Sequence, residues 1–160
     1  MNVEFLRRVF VRDASSLRDE LLAYRDEKQI WALPAGTKNP AGTLILHLTG
    51  NLQHFIGALY GKTGYVRNRD AEFSRRDVSR AELLADVDAA VAAVRKGFAA
   101  LTDEDLEKPF PSQVAGVQMQ TGLALLHMAT HLAYHLGQID YHRRIVTGEA
   151  TGVNALSLPA

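Results

Sequence analysis

The sequence contains no cysteine, and this absence limits the chemistry that the protein can perform. Disulfides, thiolate zinc sites and a cysteine nucleophile are all excluded. A bound metal must therefore use nitrogen and oxygen ligands. Any thiol chemistry must likewise use a thiol that is supplied from outside the chain.

The sequence also lacks an excess of either charge, since 18 basic side chains balance 18 acidic ones. A nucleic-acid-binding domain usually has a basic excess, so we expect no nucleic-acid partner. No apolar run is long enough for a membrane span, and the first residues lack the apolar stretch of a signal peptide. We therefore expect a cytoplasmic protein with no membrane partner.

Amphipathic helical patterns run through most of the 160 residues and predict an all-α protein. Four long helices are expected, with one long charged loop between the second and the third. The third helix should begin at a capping box formed by Ser79 and Glu82, and the fourth should end at Gly148. Residues 110–120 could form a short hairpin before the last helix. This pattern describes a four-helix bundle, with residues 1–160 as one domain. The predicted helices span roughly residues 2–25, 40–60, 79–101 and 121–147.

Three histidines on the last predicted helix, His127, His131 and His135, are each four residues from the next. Four residues bring an α-helix almost back to the same face, so consecutive histidines are neighbours. On the second helix, His47 lies within a similar phrase at residues 46–52. Two imidazoles from one helix and one from a facing helix can hold a divalent transition metal.

One metal cannot bind all three histidines of the last helix. His127 and His135 lie about 12 Å apart along the axis, and metal–nitrogen bonds are about 2 Å long. Either His127 with His131 or His131 with His135 can bind, and the repeat alone does not choose between the pairs. The plainer alternative is that these are half-buried histidines bonded to water or to the backbone. The sequence lacks Glu-x-x-His and the zincin glutamate, which excludes ferritin-like di-iron and zincin sites.

Other polar side chains share these helix faces or lie in the long loop. Four residues lie on the same helix faces as the histidines and could contact the metal ligands: Asn51, His54, Tyr134 and Gln138. Alternatively, these side chains could simply be packed or solvated. His142 also lies on the histidine face of the last helix. Four arginines of the loop could close over an anionic substrate or could be solvated: Arg67, Arg69, Arg75 and Arg76.

The sequence resembles the DinB-like (damage-inducible) superfamily of four-helix metal-binding proteins. The resemblance lies in residues 44–52 around the first histidine, in residues 131–139 and in the acidic turn at residues 101–106. It covers nearly the whole chain in order and spacing. Leu136 is a departure, because relatives often have arginine at this position. The resemblance implies three metal ligands: His47, His131 and His135.

The resemblance also implies a divalent metal, with zinc or nickel expected first, that keeps open coordination positions. Some relatives are enzymes that transfer or isomerise with low-molecular-weight thiols such as mycothiol, bacillithiol or glutathione. We therefore expect a metal-dependent thiol transferase or isomerase that acts on a small molecule.

A non-catalytic metal-binding or stress-response protein of the same fold is the alternative function. The sequence favours it in one respect, because no acid–base carboxylate is evident near the histidines. In either case we expect a homodimer, since bundles of this size often bury a helix face against a second copy.

Overall fold

The computed structural model describes residues 2–153, which form an all-α bundle and confirm the predicted fold class. A short helix accompanies the four long ones. Helix α1 packs against α4 and α5, and α2 packs against the same two helices, so α1 and α2 lie diagonally across the bundle. The helices are α1 (Val3–Ala23), α2 (Ala41–Leu52), α3 (Arg69–Ser74), α4 (Arg80–Ala99) and α5 (Thr121–Thr147).

Apolar side chains at helical spacing fill the core between the long helices. Phe10 and Leu17 on α1 are completely buried, as are Leu125 and Ile139 on α5, with Leu132 between them 1 % exposed. Seven residues make about two turns, so the side chains of each helix form one stripe. Burying each such side chain contributes about 1.5–3 kcal/mol. Within residues 2–153, none of the helices combines the length and apolar character that a membrane crossing requires.

The second long helix does not remain α-helical to its predicted end. It continues from α2 as a π-helix, Gln53–Ala58, in which the Leu59 N–H donates to the His54 carbonyl five residues earlier at 3.3 Å. The π-helix lies very close to α4. A Cβ at Gly97 would meet the Ile56 carbonyl oxygen at 2.5 Å, so only glycine allows this approach.

The long loop before α4 contains α3, a helix that was not predicted. The Asn68 side chain caps it by accepting a hydrogen bond from the Ala71 N–H at 3.0 Å. Six residues are too few to show a helical hydrophobic period, which explains why the prediction missed this helix. The predicted capping box of α4 is present, since Ser79 and Glu82 each accept a hydrogen bond from the other's backbone N–H.

The predicted hairpin before α5 exists only as two isolated antiparallel bridges. Pro109 pairs with Gln120, and Val114 pairs with Val117, but no β-strand forms within residues 2–153. A 3₁₀ turn at Asp103–Glu107 precedes the bridges. Together these elements connect α4 to α5 across the end of the bundle.

Candidate metal centre

His47 on α2 comes together with His131 and His135 on α5, where the two helices face each other. One ring nitrogen from each histidine lies within 4.8 Å of the other two. The His47 and His131 Nε2 atoms are 3.2 Å apart. The nitrogens of a tetrahedral site with bonds of about 2.0–2.1 Å lie about 3.3 Å apart, so this spacing fits one shared ion. The three residues that the resemblance implied therefore form one group, and their role as ligands stays a prediction.

Hydrogen bonds from outside this three-histidine group orient two of its rings. His47 Nδ1 donates to Glu72 Oε2 at 2.9 Å, and His135 Nδ1 donates to Gln138 Oε1 at 2.7 Å. A neutral imidazole with its proton on Nδ1 has a lone pair on Nε2. Partners of this kind fix the tautomer and the orientation of histidines at metal sites. Two of the three rings are therefore held in the form that a metal ligand requires.

Burial favours the uncharged form of the two histidines on α5. Burial, and then the charges that His135 and His47 carry when protonated, lower the pKa of His131 to about 4. Burial also lowers the pKa of His135, although its hydrogen bond with Gln138 acts in the opposite direction. Both imidazoles are therefore neutral at pH 7, and a metal need not displace protons from them.

Glu72 on α3 completes the surroundings of His47. Its buried carboxylate accepts two hydrogen bonds from Arg67, Nε to Oε1 at 2.7 Å and Nη2 to Oε2 at 2.8 Å. Burial raises the pKa of Glu72, but the hydrogen bonds from Arg67 and His47 outweigh this effect and hold the pKa below its usual value. A Cβ at Gly50 would overlap Glu72 Oε1, so the glycine lets the carboxylate approach α2.

No acid–base carboxylate was evident near the histidines from the sequence, and the Glu72 carboxylate that lies there in the structure is engaged by Arg67 and His47. Glu72 is 25 residues from His47 in the sequence, and no periodic pattern connects the two. The cap residue Asn68 is a local sign of helix α3, but it does not reveal where the helix packs.

Of the four residues predicted to contact the metal ligands, two touch His135 in the structure. Gln138 bonds to His135 as described above, and the Tyr134 ring lies edge-on to the same imidazole with centroids 5.2 Å apart. Asn51 is buried, yet within the described residues no hydrogen bond links its side chain to the three histidines. His54 lies outside the group, and burial lowers its pKa.

The remaining two histidines also lie outside the group. His127 is exposed. His142 is buried, where its Nδ1 accepts a hydrogen bond from the Tyr24 hydroxyl at 2.7 Å and its Nε2 donates to the Ala32 carbonyl at 2.9 Å. Burial lowers the pKa of His142, with partial opposition from the Ala32 hydrogen bond. His142 therefore connects α5 to the end of α1 and to the following turn.

Three of the four loop arginines, Arg67, Arg69 and Arg76, hold their own segment together, and Arg75 is exposed. Arg67 turns inward and pairs with Glu72. Arg69 lies over the Phe73 ring, 5.1 Å from its centroid, and Arg76 donates to two backbone carbonyls of the same loop. This arrangement favours a structural role for these residues over a lid that closes on an anionic substrate.

The fold and this site define a class of protein: an α-helical bundle with a three-histidine group that can hold a divalent metal. The sequence profile of the DinB superfamily matches residues 4–139, a span that includes all three histidines. The chain belongs to the DinB superfamily. A comparison with curated protein sequences gave no match. Leu136, where the chain departs from the family resemblance, is buried in the core.

Proposed function

We propose that this protein is a metal-dependent enzyme that uses an external low-molecular-weight thiol, as an S-transferase or isomerase. One observation carries the proposal: three imidazoles converge, and Nδ1 partners leave the Nε2 atoms of His47 and His135 without a proton. A divalent ion such as zinc or nickel, when bound to neutral ligands, keeps its full charge and lowers the pKa of a coordinating thiol. The chain has no cysteine, so this thiol must come from solution.

The surrounding residues have separate roles in this proposal. Glu72 and Gln138 hold the rings of His47 and His135 in orientation through their Nδ1 protons. Phe73 packs against the His47 ring, with centroids 4.9 Å apart, and helps to bury it. In a transfer reaction the thiol proton passes to solvent, a sulfur–carbon bond forms, and the leaving group departs with the electron pair of the broken bond.

A non-catalytic metal-binding or stress-response protein is the second candidate, and one observation favours it. Within residues 2–153, Glu72 is the carboxylate that contacts the three-histidine group, and its oxygens are already engaged by Arg67 and His47. A carboxylate held in this way is poorly placed to exchange a proton with a substrate. Catalysis by the first candidate therefore depends on a metal-activated thiol and not on a general base.

Metal analysis followed by activity assays distinguishes the two candidates. Protein purified without a histidine tag should contain near-stoichiometric metal. With glutathione, bacillithiol or mycothiol it should release chloride from 1-chloro-2,4-dinitrobenzene or isomerise maleate. His131→Ala should lose both metal and activity, whereas the exposed His127→Ala should keep both. Metal without turnover of any thiol would support the non-catalytic candidate, and protein that binds no metal would contradict both.

The cytoplasmic location and the homodimer also belong to this proposal. Exposed apolar side chains follow one face of α5, where a second copy could cover them. Sedimentation at increasing concentration should show a dimer that Leu126→Lys dissociates, and a monomer at every concentration would reject this assembly. The exposed side chains are Leu123, Leu126, Tyr134, Tyr141 and Ile145.

A further inference from the structure

A cavity of about 360 Å³ lies next to the three-histidine group. Leu44 on α2 lines it together with Gln138, Tyr141 and His142 on α5, and the loop at residues 36–39 forms the opposite side. Sites for small molecules usually enclose about 300–1,000 Å³, so the cavity is large enough for a small organic ligand.

The cavity begins one helical turn from the histidines on both helices. Leu44 precedes His47 by three residues, and Gln138 follows His135 by three, which corresponds to about 4.5 Å along each axis. Gln138 connects the cavity to the three-histidine group. Its Oε1 accepts a hydrogen bond from His135, and its side chain also lines the cavity. His142 is seven residues beyond His135, so the cavity extends to about 10 Å from the group.

Two other cavities are less well placed to receive a substrate of the three-histidine group. The cavity behind Glu72 is lined from α2 by Leu46 and Thr49, which point about 100° or more away from His47. A second cavity of about 460 Å³ lies between the end of the π-helix and the turn before α5. Of the residues that the structure describes, those lining this second cavity include neither a histidine of the group nor an outer partner of one.

The lining of the cavity beside Gln138 favours a ligand that is partly apolar and carries a negative charge. Leu44 and the Tyr141 ring provide apolar walls; among the described residues of the lining, Lys38 carries a charge and none is acidic. Arg144 lies over the Tyr141 ring, 5.0 Å from its centroid, but its charge is paired with Asp140 at 3.3 Å, so Lys38 is the cation that faces the cavity. The NH₂ group of Gln138 can donate to a ligand, because the hydrogen bond to His135 uses only its oxygen.

We propose that this cavity binds the anionic organic portion of the substrate and directs its reacting group to the three histidines. The inference rests on the proposed function, because it places a thiol or its electrophile at the group. Lys38 holds the anionic end, and the apolar body lies between Leu44 and Tyr141. The shared amide of Gln138 links occupation of the cavity to the orientation of His135.

Cobalt(II)-substituted protein provides the test, because its visible absorption changes when a thiol binds. The probes are 4-mercaptobenzoate and its neutral counterpart of similar shape, 4-methylbenzenethiol. The anionic probe should bind about fivefold more tightly, as expected for one exposed ion pair. Lys38→Met should abolish this preference without changing the Kd of the neutral thiol. Lys96→Met, which removes an exposed lysine from α4, should preserve the preference.

Equal Kd values for the two thiols in the wild-type protein, or a preference that survives Lys38→Met, would overturn the cavity assignment. Spectra unchanged by either thiol would instead reject the proposed function. The cavity is then tested without metal, by titrating ¹⁵N-labelled apoprotein with 4-methylbenzoate. We expect the amide signals of Gly36 and Gln138 to shift, with about fivefold weaker binding in Lys38→Met. Unshifted signals at both residues would reject the cavity as a binding site.

Discussion

Replacing Glu72 with glutamine tests whether the carboxylate behind His47 supports metal binding. The change keeps the shape of the side chain but removes its charge. The glutamine oxygen can still accept the His47 Nδ1 proton at the position of Oε2, but its NH₂ group then replaces Oε1 and faces the Arg67 Nε–H, which also donates. The two charge-assisted hydrogen bonds from Arg67 are therefore weakened or lost. The His47 imidazole also loses the negative charge that polarises it.

The expected magnitudes follow from these contacts. Loss of an outer partner of a ligating histidine typically reduces metal affinity about 10–100-fold, or about 1.4–2.7 kcal/mol. Hydrogen bonds to charged groups contribute about 1.5–3 kcal/mol to folding stability. The Arg67 side chain is 13 % exposed and can turn toward solvent, so we expect the metal-free protein to lose about 2 kcal/mol.

Competition with a chromophoric chelator measures zinc affinity, and urea denaturation of the apoprotein measures stability. Asp70→Asn is the matched control, since it makes the same charge change at an exposed position of the same helix. A second variant, Glu72→Gln combined with Arg67→Met, removes the unpaired guanidinium. We expect it to recover part of the stability while its zinc affinity stays low, because the imidazole still lacks a charged partner.

Zinc affinity of Glu72→Gln equal to that of Asp70→Asn would refute the argument that the carboxylate supports His47. Recovery of both stability and zinc affinity in the double variant would also count against it. That result would mean that Glu72 acts only by compensating the charge of Arg67.

Three further predictions concern the ligands, pH and the core. His135→Ala should remove most of the bound metal and His127→Ala should not, as measured by elemental analysis; equal losses would mean that the wrong pair was chosen. The pKa of His131 falls from 6.5 in the unfolded chain to about 4 in the folded one, so unfolding takes up a proton between these values. The melting temperature of the apoprotein should therefore decrease as the pH drops from 6.5 to about 4, with a smaller decrease in His131→Ala; parallel curves would contradict this. Burial raises the pKa of Glu20 to about 7 even beside Arg143, so this carboxyl group should take up a proton in Arg143→Met, and urea denaturation should show a loss of about 1–3 kcal/mol from the missing hydrogen bonds. A loss of about 3–5 kcal/mol would contradict this and show that the carboxylate stays charged without its partner.

The positions of the long helices could be predicted from the sequence because helix formation depends on local features. Hydrogen bonds within a helix join residues four apart, and the apolar period is visible within two or three turns. The cap formed by Ser79 and Glu82 is local in the same sense. For the same reason, the neighbouring positions of His131 and His135 could be predicted from their spacing alone.

Choosing between the two histidine pairs required information that a single helix does not contain. The pairs of His131 with His127 and with His135 have the same spacing, so the choice depends on the position of α2 along α5. The family resemblance implied one pair, and the structure brings the same pair to His47. Packing of the two apolar faces determines this position, and many side chains distant in sequence contribute to it.

The surroundings of the three-histidine group were decided only by the tertiary structure. Glu72 reaches His47 because a six-residue helix packs on α2 beside Gly50. The cavity beside Gln138 forms because the loop at residues 36–39 lies against α5, about a hundred residues away in sequence. Neither contact can be read from a repeating pattern in the sequence, because each involves one short segment that packs against a helix only once. Helical spacing therefore determined which histidines could meet, and long-range packing decided what surrounds them.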